Sequence, residues 1–196
     1  YNYIMNIFYL HKDPKTCAEM HCDKHVCKMI IEYAQLMCTA HRVIDGEHYE
    51  GRTANNRRIA RWKHPLENHE KLLYKASHIN HPSNLWVRES QNHYNWLYEM
   101  WEHLCYEYTN RYGKVHMTDL KLRGILASSP MQIDVKPFVD PYLAMPDDVK
   151  QENVVEAYRD YYINYKKDFA KWTNRKVPDF MIGTIQEIKD IETHAG

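Results

Sequence analysis

The amino-acid sequence predicts an all-α fold: a compact single-domain bundle of three long helices with short helices between them, behind a short extended N-terminal segment. Three observations predict it. Apolar residues recur at 3.6-residue spacing along three long stretches. Only six of the 196 residues are glycine, whereas turn-rich β architectures use many. Sixteen tyrosines, five tryptophans and nine methionines supply the bulky side chains that helix faces interlock. The length fits one domain spanning 1–196, with residues 1–4 read as an extension ahead of a start at Met5.

In chain order, residues 5–10 read as extended. Asp13 and Pro14 then give an N-cap followed by a first-turn proline. The stripe Ala18, Cys22, Val26, Met29, Ile30, Tyr33, Met37, Ala40 extends a helix from about Pro14 to Val43. "DGEHYEG" ends it. The polar, basic "RTANNRRIARWKHP" comes next, then a helix from Glu67 to Ala76. Ser83 is the expected cap of a second long helix that carries Leu85, Trp86, Trp96, Leu97, Met100, Leu104 and Tyr108 and stops at Gly113, a left-handed cap position. Residues 127–150, with Pro130, Pro137, Pro141 and Pro146, read as an ordered irregular excursion. "NVVEAYRDYYINYKKDFAKW" is the third long helix, and a short helix is expected over Thr184–Glu192.

Composition narrows the function classes. Formal net charge is zero. No apolar run approaches the ~20 residues of a membrane span, so no membrane partner is expected, and "YNYIMNIFYL" lacks the marks of a signal peptide. Five cysteines without a C-x-x-C pair point to reduced thiols and a cytoplasmic location. Walker, Rossmann, nucleophile-elbow and zincin motifs are missing, and no cofactor is expected.

The chemistry concentrates in "MHCDKHVCKMIIEY". At 100° per residue, His21, His25, Lys28, Glu32 and Gln35 form one ridge, while Val26, Met29, Ile30 and Tyr33 point to the core. The ridge is readable as a solvated face with a Lys28–Glu32 pair, as a catalytic face in which carboxylate, amine and imidazole tune one another, or as a metal site on His21 and His25. The metal reading is the weakest, since the Glu-x-x-His spacing of bundle metal centres is missing, and no metal is assigned. Arg52, Arg57, Arg58, Arg61 and Lys63 fall in an acid-free stretch with Trp62 interleaved, which suits phosphate contact and base stacking. His78, His81, Arg88 and Asn92 cluster at the start of the second long helix, where phosphate is favoured.

Three pieces together resemble the bacteriophage-type pyrimidine-dimer DNA glycosylases, the endonuclease V family: "KTCAEMHCDKHV" on the first long helix, "NHYNWLYEMW" running to "NRYGK" on the second, and the Tyr-rich "EAYRDYYINYKK". The resemblance covers about half the chain. It implies a compact helical enzyme that bends damaged duplex DNA and flips a nucleotide. Such an enzyme breaks the glycosidic bond through an amine that forms a Schiff base, beside a carboxylate on the first helix. Asp23 is the closest match for that carboxylate and Glu32 the second. The family's arginines on that helix are replaced by His21, His25 and Lys28. Its N-terminal amine corresponds to Tyr1, or to Asn6 in a chain started at Met5, with Lys24 or Lys28 as substitutes. The expected partner is therefore duplex DNA and the expected activity base excision. A base-modifying transferase on a similar scaffold and a non-catalytic nucleic-acid binder are the alternatives.

Overall fold

The computed structural model describes residues 5–183 and 193–194. Helix dominates, as expected, but the fold is not purely helical. A helix α1 (Pro14–Met20) is followed by α2 (Asp23–Asp45), an antiparallel hairpin β1 (Glu47–Arg52) and β2 (Arg58–Lys63), then α3 (Glu67–Leu72), α4 (Pro82–Glu89), α5 (Gln91–Tyr112), α6 (Met117–Leu126) and α7 (Val154–Tyr165). The expected helix over Thr184–Glu192 lies outside the described residues.

Helix α2 is the axis. It packs against α4, α5 and α6, while α1 lies along α5. The stripe read from the sequence is its buried face: Val26, Met29, Ile30, Tyr33, Met37 and Ala40 are all buried. The segment Met5–Leu10 forms no regular helix or strand and is sunk into this core. Its backbone cannot use strand partners, and one amide is met by a side chain, the Phe8 N–H donating to Tyr33 Oη at 3.1 Å.

Two expected long helices are each divided. The first breaks at His21–Cys22, although neither glycine nor proline stands there. Other parts of the chain take the backbone groups instead. Arg111 on α5 has a buried side chain that donates to the carbonyls of Glu19 (3.0 Å) and His21 (2.6 Å) and to Asp23 Oδ1 (3.2 Å). The Asp23 N–H donates to Lys171 O at 2.7 Å. The second break is at Ser90, whose hydroxyl accepts the Asn92 N–H and starts α5. Ser83 is not a cap. His81 fills that role on α4, its Nδ1 accepting the Ser83 N–H at 3.1 Å. The Asp13–Pro14 start of α1 and the left-handed Gly113 stop of α5 (φ 69°) stand as expected. The third long helix is shorter than its sequence pattern, and α6 was not anticipated.

The basic stretch forms the hairpin. Its loop closes with Thr53 and Arg57 paired through backbone (2.9 Å) and hydroxyl (3.0 Å) bonds, and Asn56 adopts the left-handed conformation (φ 60°) that asparagine tolerates. At the hairpin's base, the buried Arg42 of α2 holds the carbonyls of Trp62, Glu70, Leu73 and Tyr74 and the Glu70 carboxylate. A side chain at Gly46 would put its Cβ 2.3 Å from Arg42 O, so only glycine lets α2 turn directly into β1.

Arg111 is also paired with Glu107, which in turn binds Arg175. Removing one member of a buried, multiply bonded ion cluster leaves the other charges unpaired, at roughly 3–5 kcal/mol. Arg111→Met is therefore expected to lose roughly that much in urea unfolding at pH 7, against less than 1 kcal/mol for Arg58→Met, whose exposed pair with Glu50 is solvated.

Candidate active site and nucleic-acid interface

The helix break changes the meaning of the ridge. His21 precedes α2 and is buried: its Nδ1–H donates to Cys17 O at 2.7 Å, which leaves Nε2 to accept from Tyr33 Oη at 2.7 Å. His25 is buried as well, stacked on Phe8 (4.3 Å between centroids, 19°) with Nδ1 at 2.6 Å from Tyr162 Oη. The two imidazoles are committed to different partners, so their geometry gives no shared metal site. Asp23, the nearest match for a catalytic carboxylate, is fully engaged. Its Oδ1 accepts from Arg111 (3.2 Å) and Thr173 N (2.9 Å), its Oδ2 from Thr173 Oγ1 (2.6 Å). It ties the C-terminal segment to the start of α2, which is a joining role.

Lys28 and Glu32 remain at the surface of α2, and each has company. On the N-terminal side, Lys24, Lys28 and Lys166 gather around His25. Lys24 Nζ lies 4.5 Å from the centre of the Phe169 ring, and Lys166 Nζ lies 4.9 Å from Tyr161 and 5.9 Å from Phe169. Burial, with Lys28 and Lys24 adding like charge, lowers the Lys166 pKa below that of an ordinary lysine. Burial, then His21 and the three lysines Lys166, Lys28 and Lys24, pushes His25 well below an ordinary imidazole. On the C-terminal side, partial burial raises the Glu32 carboxyl, with Lys28 and His78 opposing. Lys28 is thus within electrostatic reach of both groups. Sequence reasoning missed Lys166; the "YKK" at the end of the tyrosine stripe was its only trace.

The strip continues into the loop before α4. His78 has a left-handed backbone (φ 50°), an uncommon state for a residue with a side chain. The loop is held there: buried Asn84 donates to Ser77 O (2.9 Å) and His78 O (2.8 Å), and Arg88 donates to Ile79 O (2.8 Å). Ser77 Oγ meets His78 Nδ1 at 2.6 Å. His78 and Ser77 share a cavity of about 310 Å³ with Arg61 and Trp62 of the hairpin. The hairpin and the α2 surface are therefore joined through His78.

The other expected contact residues divide. Arg52, Arg57, Arg58 and Lys63 are exposed on the hairpin. Arg61 is spent on Ala76 O (3.0 Å), and Trp62 packs its ring edge-on to His48 (5.1 Å). His81 is a helix cap, Arg88 a loop clamp, and Asn92 donates to Lys136 O at 2.6 Å.

No protein-family model, no curated protein and no solved structure matches this chain. No helix among the described residues is long and apolar enough to cross a membrane.

Burial pushes His21 down to about 4, against about 6.5 in an unfolded chain. The unfolded state therefore binds the proton first. Stability is full above pH 6.5 and falls as pH drops towards 4, by roughly 3 kcal/mol from His21 alone. Chemical denaturation at pH 7 and pH 4.5 is expected to show this loss, and His21→Gln to reduce it.

Proposed function

We propose that the chain is a DNA-acting enzyme that excises a damaged pyrimidine base through an amine. The observation that carries this reading is the half-buried Lys166 beside Lys24 and Lys28, on the same surface as the protonatable Glu32. A lowered pKa enlarges the neutral, nucleophilic fraction of an amine, and a carboxyl of raised pKa is a better-placed general acid. Acid and amine of this kind are what base excision requires. The Lys166 nitrogen forms a bond to C1′ as the bond from C1′ to the base breaks. The departing base takes the Glu32 proton. Loss of the amine proton and opening of the sugar then give an imine.

Lys24 and Lys28 would receive the phosphates flanking the flipped nucleotide, and the exposed cations of the hairpin would hold the duplex backbone. This reading moves the amine to Lys166 and the carboxylate to Glu32, since Asp23 is already bonded on both oxygens.

Borohydride reduction during incubation with pyrimidine-dimer duplex is expected to trap a covalent complex with the wild type and none with Lys166→Ala. Trapping that persists in Lys166→Ala would remove the lysine from the chemistry. The pH profile supplies an independent check. Rate rises with pH while Glu32 stays protonated and neutral Lys166 accumulates, levels off as Glu32 ionises, and falls above the Lys166 pKa. Glu32→Gln should be slower by on the order of 10²–10⁴, with a rate that keeps rising to the Lys166 pKa.

Duplex affinity should fall with salt at a log–log slope of about −0.9 per phosphate contact. Arg52→Ala, Arg57→Ala and Arg58→Ala combined are expected to flatten that slope by about 2–3, measured by fluorescence anisotropy between 50 and 200 mM salt.

A further inference from the structure

A second cluster of titratable side chains lies outside the proposed active site, where the C-terminal half of α2 meets the base of the hairpin. His41 and Asp45 stand one turn apart on α2, and His64 follows β2. All three are buried. One donor atom from each lies within 4.8 Å of the other two. Buried polar atoms are nearly always paired. Yet three of the seven unpartnered buried side-chain nitrogens and oxygens among the described residues are here: His41 Nδ1, His64 Nε2 and His69 Nδ1. His69 stacks on His64 with ring centres 4.8 Å apart.

The outer hydrogen bonds set which lone pairs are available. Tyr94 Oη donates its proton to Leu126 O at 2.8 Å, so it can only accept from His41 Nε2 at 2.9 Å. The His41 proton is therefore on Nε2, and Nδ1 presents a bare lone pair. Asp45 is oriented by the N–H groups of Met131 on Oδ2 (2.7 Å) and Gln132 on Oδ1 (3.0 Å), each oxygen keeping lone pairs. His64 Nε2 faces Asp45 Oδ2 at 4.0 Å. The nearby Arg42 charge is matched by Glu70 at 2.6 Å.

We propose that His41 Nδ1, Asp45 and His64 Nε2 bind a divalent transition-metal ion, of the zinc class. Two imidazoles and a carboxylate are a donor set such ions favour, and His41 and Asp45 are already fixed by outer hydrogen bonds. A water completes four-coordination. Tetrahedral zinc places its donors roughly 3.3 Å apart, so the three side chains close inwards on binding. His64 Nδ1 accepts the Leu66 N–H at 3.1 Å, which puts its proton on Nε2. Coordination moves that proton to Nδ1, and the Leu66 amide, on an exposed residue, turns to solvent. The ion would fasten the base of the hairpin and the 131–132 loop to α2. It is thus a structural site, separate from the amine chemistry.

The test uses the full chain stripped with chelator and titrated with Zn²⁺ and Co²⁺. The expected result is one ion per chain, visible ligand-field bands of a four-coordinate Co²⁺ site, and a melting temperature raised by roughly 5–10 °C at a hundredfold excess of Zn²⁺ over Kd. His64→Gln and Asp45→Asn should each weaken binding at least tenfold, while His103→Ala, outside the cluster, should leave it unchanged. Two variants are used because Asp45→Asn also weakens the loop it holds; His64→Gln keeps the size of the side chain. No Zn²⁺-dependent stabilisation of the wild type, or the same stabilisation in both variants, overturns the proposal and leaves the three nitrogens to buried water.

Discussion

The start of α2, and with it the placement of His21 and Asp23, depends on one buried guanidinium. Arg111 comes from the last turn of α5 and reaches the point where α1 stops and α2 starts. It takes two carbonyls that a continuous helix would have bonded itself, and it pairs with carboxylates on either side. A charge buried this way is worth little as an isolated attraction, because its desolvation cost is large. Its effect is geometric. It makes the break in the first long helix satisfiable, and the break turns His21 inwards, makes Asp23 a joint, and leaves α2 free to present Lys24, Lys28 and Glu32 along one surface. Arg42 does the same at the other end of α2, where the chain leaves the helix for the hairpin.

The aromatic residues extend this logic. Four tryptophans use the indole N–H to hold a distant carbonyl: Trp86 with Val139, Trp96 with Lys12, Trp101 with Ile30 and Trp172 with Met20, all at 2.9 Å. Trp86, Trp96 and Trp172 thereby satisfy carbonyls outside the helix ladders, whereas Trp101 adds a second bond to a carbonyl inside α2. The long irregular stretch after α6 can therefore lie against the helices without leaving unpaired carbonyls at these points. Tyr33, Tyr94 and Tyr162 do the same for imidazoles.

Local signals were legible in the sequence and tertiary ones were not. Asp13–Pro14 starts α1 and Gly113 stops α5 because those residues act on their own backbone. The α2 core face follows from periodicity alone. The break at His21–Cys22 has no local signal, since its cause lies on α5 and in the C-terminal segment. A ridge through His21 needs one continuous helix; Lys28, Glu32 and Gln35 do line the α2 surface, whereas His21 falls before the break and His25, inside α2, is buried. The hairpin escaped notice because its strands are heavily charged and its loop uses Asn56 where Asn-Gly is the usual mark. Lys166 carries no sequence motif. Its environment is made by Phe169, Tyr161 and two lysines of another helix.

A hairpin of only two strands has a further consequence, for how copies of the protein behave towards one another. Each strand pairs on one side and leaves the backbone groups of its other side without a ladder partner, the kind of template on which a second chain can add. Arg52 sits opposite Arg58 in the pairing register, and Lys63 opposite Glu47. Two such ribbons meeting along their β2 edges would bring the cations of one β2 against those of the other, and like charges at that range repel. The exposed cations of the hairpin therefore discourage self-stacking, and colloidal stability should be greatest where salt is too dilute to screen them.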